Sequence, residues 1–194
     1  MKQTDLVRQV REGNIDSLLE QLFTGVPFAF SNAGEYKNFQ GQLGAAFNIN
    51  PADVVLVGSG RFGFSLAPHK FGRPFDYRSD LDLVMVGAEL FDAAWLELIR
   101  YDFKSLSVSS DVATSLWEHR NNNVFWGYLE PYRLKTALSF YRKTWFPTFS
   151  LLNLSRAAAG RTVKARIYRT WEHAKNYHRF GFRVLAAGQK SEAQ

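Results

Sequence analysis

Cysteine is absent from the 194 residues, methionine occurs twice and histidine four times. The lack of cysteine excludes a disulfide framework and any thiolate metal site. The histidines His69, His119, His173 and His178 are scattered, and the spacing of the last two does not put both on one helical face, so a zinc site is not expected. No run of about 18 apolar residues occurs, which leaves nothing to span a membrane, and no membrane partner is expected. The opening Met1-Lys2-Gln3-Thr4-Asp5 lacks the apolar stretch of a secretory signal. The expected location is therefore the cytoplasm.

What is present is the balance of a globular chain, 46% hydrophobic and 22% charged, long enough for one domain with a real core. A net charge of +6 and a pI near 9.6 favour an anionic partner: a nucleotide, RNA or another nucleic acid. The excess gathers late in the chain, at Arg156, Arg161, Lys164, Arg166, Arg169, Lys175, Arg179 and Arg183, with Glu172 the one opposing acid before residue 190. Such runs are most often solvated faces. Here Tyr168, Trp171, Tyr177, His178 and Phe180 are interleaved with them, and rings beside cations suit a base or a single strand. Lys164, Arg166 and Arg169 are the expected nucleic-acid contacts.

Two stretches carry the chemistry. Val54-Val55-Leu56-Val57 is a short apolar run ended by Gly58-Ser59-Gly60-Arg61-Phe62-Gly63, the pattern of a buried strand turning at glycines. Ser79-Asp80-Leu81-Asp82-Leu83-Val84-Met85-Val86 opens a second apolar strand with two aspartates one residue apart. Successive strand residues face opposite sides, so Asp80 and Asp82 share a side while Leu81, Leu83 and Met85 face the other. Carboxylates that close repel unless a cation lies between them, and magnesium is the hard, oxygen-seeking cation that usually carries a nucleotide's phosphates. The competing reading is a strand-entry turn with solvated aspartates. The apolar strand that follows must be buried on at least one face, which favours the metal.

Gly58, Ser59, Asp80 and Asp82, in that order and setting, resemble the nucleotidyltransferase superfamily typified by DNA polymerase beta: an apolar strand, Gly-Ser, a spacer, then Asp-x-Asp in an apolar strand. The likeness covers residues 50–90 well and the remainder loosely. It implies that Asp80 and Asp82 are catalytic and ligate Mg2+ or Mn2+. It also implies that Ser59 and the backbone at Gly58 and Gly60 hold a nucleoside triphosphate, and Arg61, Lys70 and Arg78 are the side chains placed to neutralise its charge. The implied activity is transfer of a nucleoside monophosphate to an RNA, protein or small-molecule acceptor.

Two departures from the family pattern matter. The spacer carries an insertion from Pro68 to Arg78, rich in cations and aromatics, which reads as either a substrate-contacting flap or a surface hairpin. Active members carry a third carboxylate on a later strand. The best later strand here, Thr162 to Arg169, has Lys164, Arg166 and Tyr168 on one face and no acid. Asp111, Glu130 and Glu172 are the candidates to supply one. If none does, the alternative is a catalytically degenerate module that binds nucleotide or RNA, as in a toxin–antitoxin or phage-defence system, with a partner protein.

Ser59 does not sit in a nucleophile elbow, because Val57 stands where that motif needs glycine. The glycine spacing also fails the dinucleotide fingerprint. The expected fold is α/β (α+β): one domain over residues 1–194, a small mixed β-sheet flanked by helices. N-terminal helices fill about 1–48 and a helical, basic part about 111–194. Expected helices cover Thr4–Phe23 with a break at Gly13-Asn14, Gly34–Phe47, Ala88–Tyr101, Pro131–Trp145 with Pro147 ending it, and Thr170–Arg179. Asn121-Asn122-Asn123 reads as a loop, residues from Gln189 as a polar tail, and the many aromatic rings as packing residues.

Overall fold

A computed structural model describes residues 2–101 and 109–191 of the chain, with side chains as far as 188; the expected polar tail lies at and beyond that limit. The fold is α+β. Its elements in chain order are α1 (Gln3–Arg11), α2 (Ile15–Phe23), α3 (Ala33–Phe47), β1 (Val54–Val57), α4 (Gly58–Phe62), β2 (Leu81–Val86), α5 (Ala88–Arg100), α6 (Ser110–Glu118), β3 (Tyr128–Leu129), α7 (Phe146–Asn153), β4 (Val163–Tyr168) and α8 (Trp171–Ser191).

The strands form one mixed sheet in the order β1-β2-β4-β3. β1 runs antiparallel to β2, with Val57 opposite Asp82. β2 runs parallel to β4, with Asp82 opposite Lys164 and Val84 opposite Arg166. β3 pairs antiparallel with β4. Alternation sorts the strand residues onto two faces. Leu56, Leu81, Leu83, Met85 and Ile167 pack under α3, α5 and α7. Val55, Val57, Val84, Val86 and Tyr168 pack under α1, α2 and α8. Asp82, Lys164 and Arg166 belong to this second face, at the end where β1 turns into α4.

An edge strand with free backbone groups invites pairing with another chain. Here α3 closes the outer edge of β1. Leu56 N–H donates to Tyr36 Oη at 3.0 Å, and Gln40 Nε2 donates to Val54 O at 2.6 Å. Asn32 caps the helix that carries them by accepting from Glu35 N–H at 2.9 Å.

The break expected in the N-terminal helix falls at Gly13, whose φ of +77° separates α1 from α2. Three expectations fail. The asparagine run is not an open loop but part of a π-helical turn, His119–Val124, that continues α6. It is fixed by buried His119, whose Nδ1 lies 2.6 Å from Asn123 Nδ2 and whose Nε2 accepts from Glu130 N–H at 3.1 Å. Residues 131–137 make turns, and the expected helix begins only near residue 139, its π-helical turn Tyr141–Trp145 running straight into α7, so that Pro147 lies inside the helical stretch instead of ending it. The last helix runs to Ser191 because buried Phe182 and Leu185 prolong its apolar stripe beyond Arg179.

Candidate phosphate and metal cleft

β1 delivers Gly58 beside the aspartates. With φ at +65°, Gly58 turns the chain where a Cβ would lie 3.4 Å from Asp82 Oδ2. A side chain there would strain the backbone and crowd the carboxylate. Ser59 follows at the start of α4. Asp80 precedes β2 and Asp82 is its second residue.

The insertion is both a hairpin and a wall of the cleft. Ser65 N–H donates to Arg73 O at 2.8 Å, Gly72 N–H to Ser65 O at 2.9 Å and Phe75 N–H to Gly63 O at 2.9 Å. Asp76 then closes a turn by accepting from Arg78 N–H at 2.9 Å, with Arg78 Nη2 returning to Asp76 Oδ2 at 2.9 Å. Arg161 fastens the turn by donating from Nε to Asp76 O at 3.0 Å. These bonds set the insertion over the end of β2 and enclose a cleft of about 340 Å³.

Gly58, Ser59, Lys70, Arg78, Asp80 and Asp82 all line that cleft, joined by His69 and Arg73, which sequence reasoning left aside. Two expected residues stand outside it. Gly60 is buried, where a Cβ would come 3.0 Å from Leu56 Cδ2. Arg61 points away, donating from Nε to Gln21 O at 2.8 Å and from Nη1 to Gly25 O at 2.9 Å. Its role is to tie α2 to α4. The signal for both lay in the helix: α4 begins at Gly58, so the chain curls away from the cleft within one turn.

The electrostatics are uneven. Lys164 Nζ reaches Asp80 Oδ2 at 2.5 Å. Asp82 has no ion-pair partner among the described residues, although it faces Lys164 across the ladder. Asp82 keeps solvent contact at the cleft, yet desolvation by the surrounding protein raises its pKa and the Asp80 charge adds to the rise; Arg166, Lys164 and Lys70 pull the other way. Lys70 and Arg73 are in no ion pair among the described residues, whereas Arg78 is held by Asp76.

Of the candidate third acids, Asp111 is exposed at the start of α6 and Glu172 is exposed on α8. Glu130 is engaged by Arg166 at 2.6 Å and by Arg133 at 2.8 Å. Among the described residues no group of three or more metal-ligating side chains forms. The position facing Asp82 on the neighbouring strand is Lys164. The three expected nucleic-acid contacts are likewise paired: Lys164 with Asp80, Arg166 with Glu130, and Arg169 with Asp92 at 2.8 Å.

Two carboxylates suffice for magnesium when phosphates and water complete its octahedron, the usual arrangement at nucleotide sites. Asp80 and Asp82 fit that role provided Lys164 releases Asp80. Ser59 and Ser65 offer hydroxyls, and Lys70, Arg73 and Arg78 offer positive charge, to an anion in the same cleft. No helix among the described residues is long and apolar enough to cross a membrane. Comparison with family models, with curated proteins and with solved structures finds no match to this chain.

Proposed function

We propose that the cleft binds a nucleoside triphosphate with a divalent cation, and that it serves transfer of the nucleoside monophosphate to an acceptor hydroxyl. One observation carries the reading: a single cleft gathers an aspartate pair, a Gly-Ser turn and three cations from the insertion. A triphosphate needs opposite charge along its length, and Lys70, Arg73 and Arg78 supply it. Mg2+ or Mn2+ held by Asp80 and Asp82 would offset the negative charge of the triphosphate and of the leaving pyrophosphate. In the transfer, the acceptor oxygen bonds to the α-phosphorus as the bond to the β-phosphate's bridging oxygen breaks. Pyrophosphate leaves and the hydroxyl proton passes to solvent. The resemblance of Gly58, Ser59, Asp80 and Asp82 to the nucleotidyltransferase pattern supports the same reading.

The second reading, a nucleotide-binding module without turnover, is favoured by one observation: Lys164 stands where a third carboxylate would face Asp82. Incubation with α-labelled triphosphates, Mg2+ or Mn2+, and total RNA, total protein or no acceptor separates the two. Label transfer that is lost in Asp80→Asn and in Asp82→Asn establishes the enzyme. Triphosphate binding that needs both aspartates, without transfer to any acceptor, establishes the module.

A further inference from the structure

The rings of Phe125, Trp126 and Phe180 stand at the surface, 78%, 67% and 68% exposed; the sequence marks Phe180 as a ring beside cations and leaves Phe125 and Trp126 among the packing residues. They are not scattered. With Tyr128, His173 and Tyr177 they line a hollow of about 630 Å³ between the π-helical turn and α8. Positions 173, 177 and 180 form one face of the helix.

The hollow is built, not incidental. Gly127, at φ +73°, turns the chain between Trp126 and Tyr128, and the His173 ring fills the space where a Cβ would stand, its Cδ2 only 2.1 Å from that point. Gly127 O accepts from Arg169 N–H at 2.9 Å. Phe125 and Trp126 meet edge to face at 5.6 Å. Tyr128 meets Tyr177 at 5.0 Å, and the Arg166 guanidinium lies over Tyr177 at 5.1 Å. The floor of the hollow, Tyr128, Tyr177 and His173, is thus fixed in place beneath the exposed rings.

Charge selects the occupant. No carboxylate lines the hollow. Along α8, Lys175, Arg179 and Arg183 oppose Glu172 alone as far as Gly188. Arg183 is in no ion pair among the described residues and is exposed one turn beyond Phe180, whereas Lys175 lies on the other side of α8 from positions 173, 177 and 180. An acidic or neutral protein surface would leave the ring faces to be matched piece by piece, whereas a chain of bases joined by phosphates matches rings and cations together.

We propose that this hollow is a stacking platform for single-stranded nucleic acid, distinct from the phosphate cleft. Bases lie on Trp126, Phe125 and Phe180, and Arg183 meets the phosphates. The test is fluorescence anisotropy of the full chain with labelled oligouridine and oligothymidine of about 12 nucleotides, and with a duplex of that length. Single strands are expected to bind more tightly than duplex. Trp126→Ala and Phe180→Ala should each weaken binding on the order of tenfold, with Trp126→Phe retaining most of it. Arg183→Gln should lower the slope of log affinity against log salt by about one. Because these rings are exposed, the thermal transition of each variant should stay in place, and Asp82→Asn should bind oligonucleotide as the wild type does. Absence of binding to either single strand at about 50 mM salt overturns the proposal. So does binding indifferent to Trp126→Ala and Phe180→Ala, or a free protein that sediments as a dimer and is made monomeric by Trp126→Ala.

Discussion

Lys164 Nζ lies 2.5 Å from Asp80 Oδ2, although the ladder sets Lys164 opposite Asp82. The ammonium thus neutralises one member of the aspartate pair and leaves the other unpartnered. Both side chains are substantially exposed, 59% and 38%, so the ion pair adds only about 0–1 kcal/mol to stability. Its consequence is competition: a divalent cation entering between the aspartates must displace a charge already there.

Replacing Lys164 with alanine should therefore help the cation. With Mg2+ titrated at fixed ATP, the gain in Tm is expected to appear at lower Mg2+ in Lys164→Ala than in the wild type, while the Tm of the free protein changes little. A requirement for more Mg2+ in the variant would instead make Lys164 a phosphate contact.

Asp82 carries the opposite cost. Its pKa is raised on folding, so the native state holds the proton more firmly than the unfolded chain, and the penalty for ionising it applies at neutral pH and is relieved as pH falls. Asp82→Asn should raise the Tm of the free protein at pH 7 and abolish any gain from Mg2+ and ATP. Scanning calorimetry of both proteins with and without ligand checks the pair of effects.

Two histidines make stability fall in acid. Burial lowers the pKa of His119 to about 4 and that of His178 to about 3, against an ordinary value near 6.5. Between about 6.5 and 4 the unfolded chain takes up protons that the native state refuses, so stability drops as pH is lowered, by about 1.4 kcal/mol per pH unit for each residue. Above 6.5 this contribution is flat. His178→Phe, which keeps a ring beside Phe23, should remove about half the slope in chemical denaturation between pH 6.5 and 4.

Tyr36→Phe tests how the sheet edge is closed. It removes the acceptor of buried Leu56 N–H, a loss of about 1–3 kcal/mol, and faster amide exchange at Leu56 should accompany it.

Helices α1, α2, α3, α5 and the first half of α8, and the three longer strands, were legible because their signals are local: the four-residue apolar run of β1, the alternation of β2, the glycine break between α1 and α2; α4, α6 and α7 were not. What was not legible depends on partners far away in sequence. β3 has two residues and exists because β4 pairs with it. The π-helical turn is fixed by His119 bonding to Glu130. At the site, strand parity was enough to put Asp80 and Asp82 together and Lys164 near them. Proximity in sequence misled at Gly60 and Arg61, which α4 carries out of the cleft, and nothing local announced that Arg73 would enter it on the returning arm of the insertion.

The most direct test of the central claim is the thermal transition of the wild type and of a variant carrying both Asp80→Ala and Asp82→Ala, each with Mg2+ and ATP, GTP, CTP or UTP. At ligand about a hundredfold above Kd, binding to the native state adds about 2.7 kcal/mol, a rise of about 5–10 °C in Tm for a domain of this size. The account predicts that rise with at least one triphosphate in the wild type, its loss when Mg2+ is replaced by chelator, and no rise in the double variant. A wild-type transition that none of the four moves, or a rise that survives the loss of both aspartates, would contradict it.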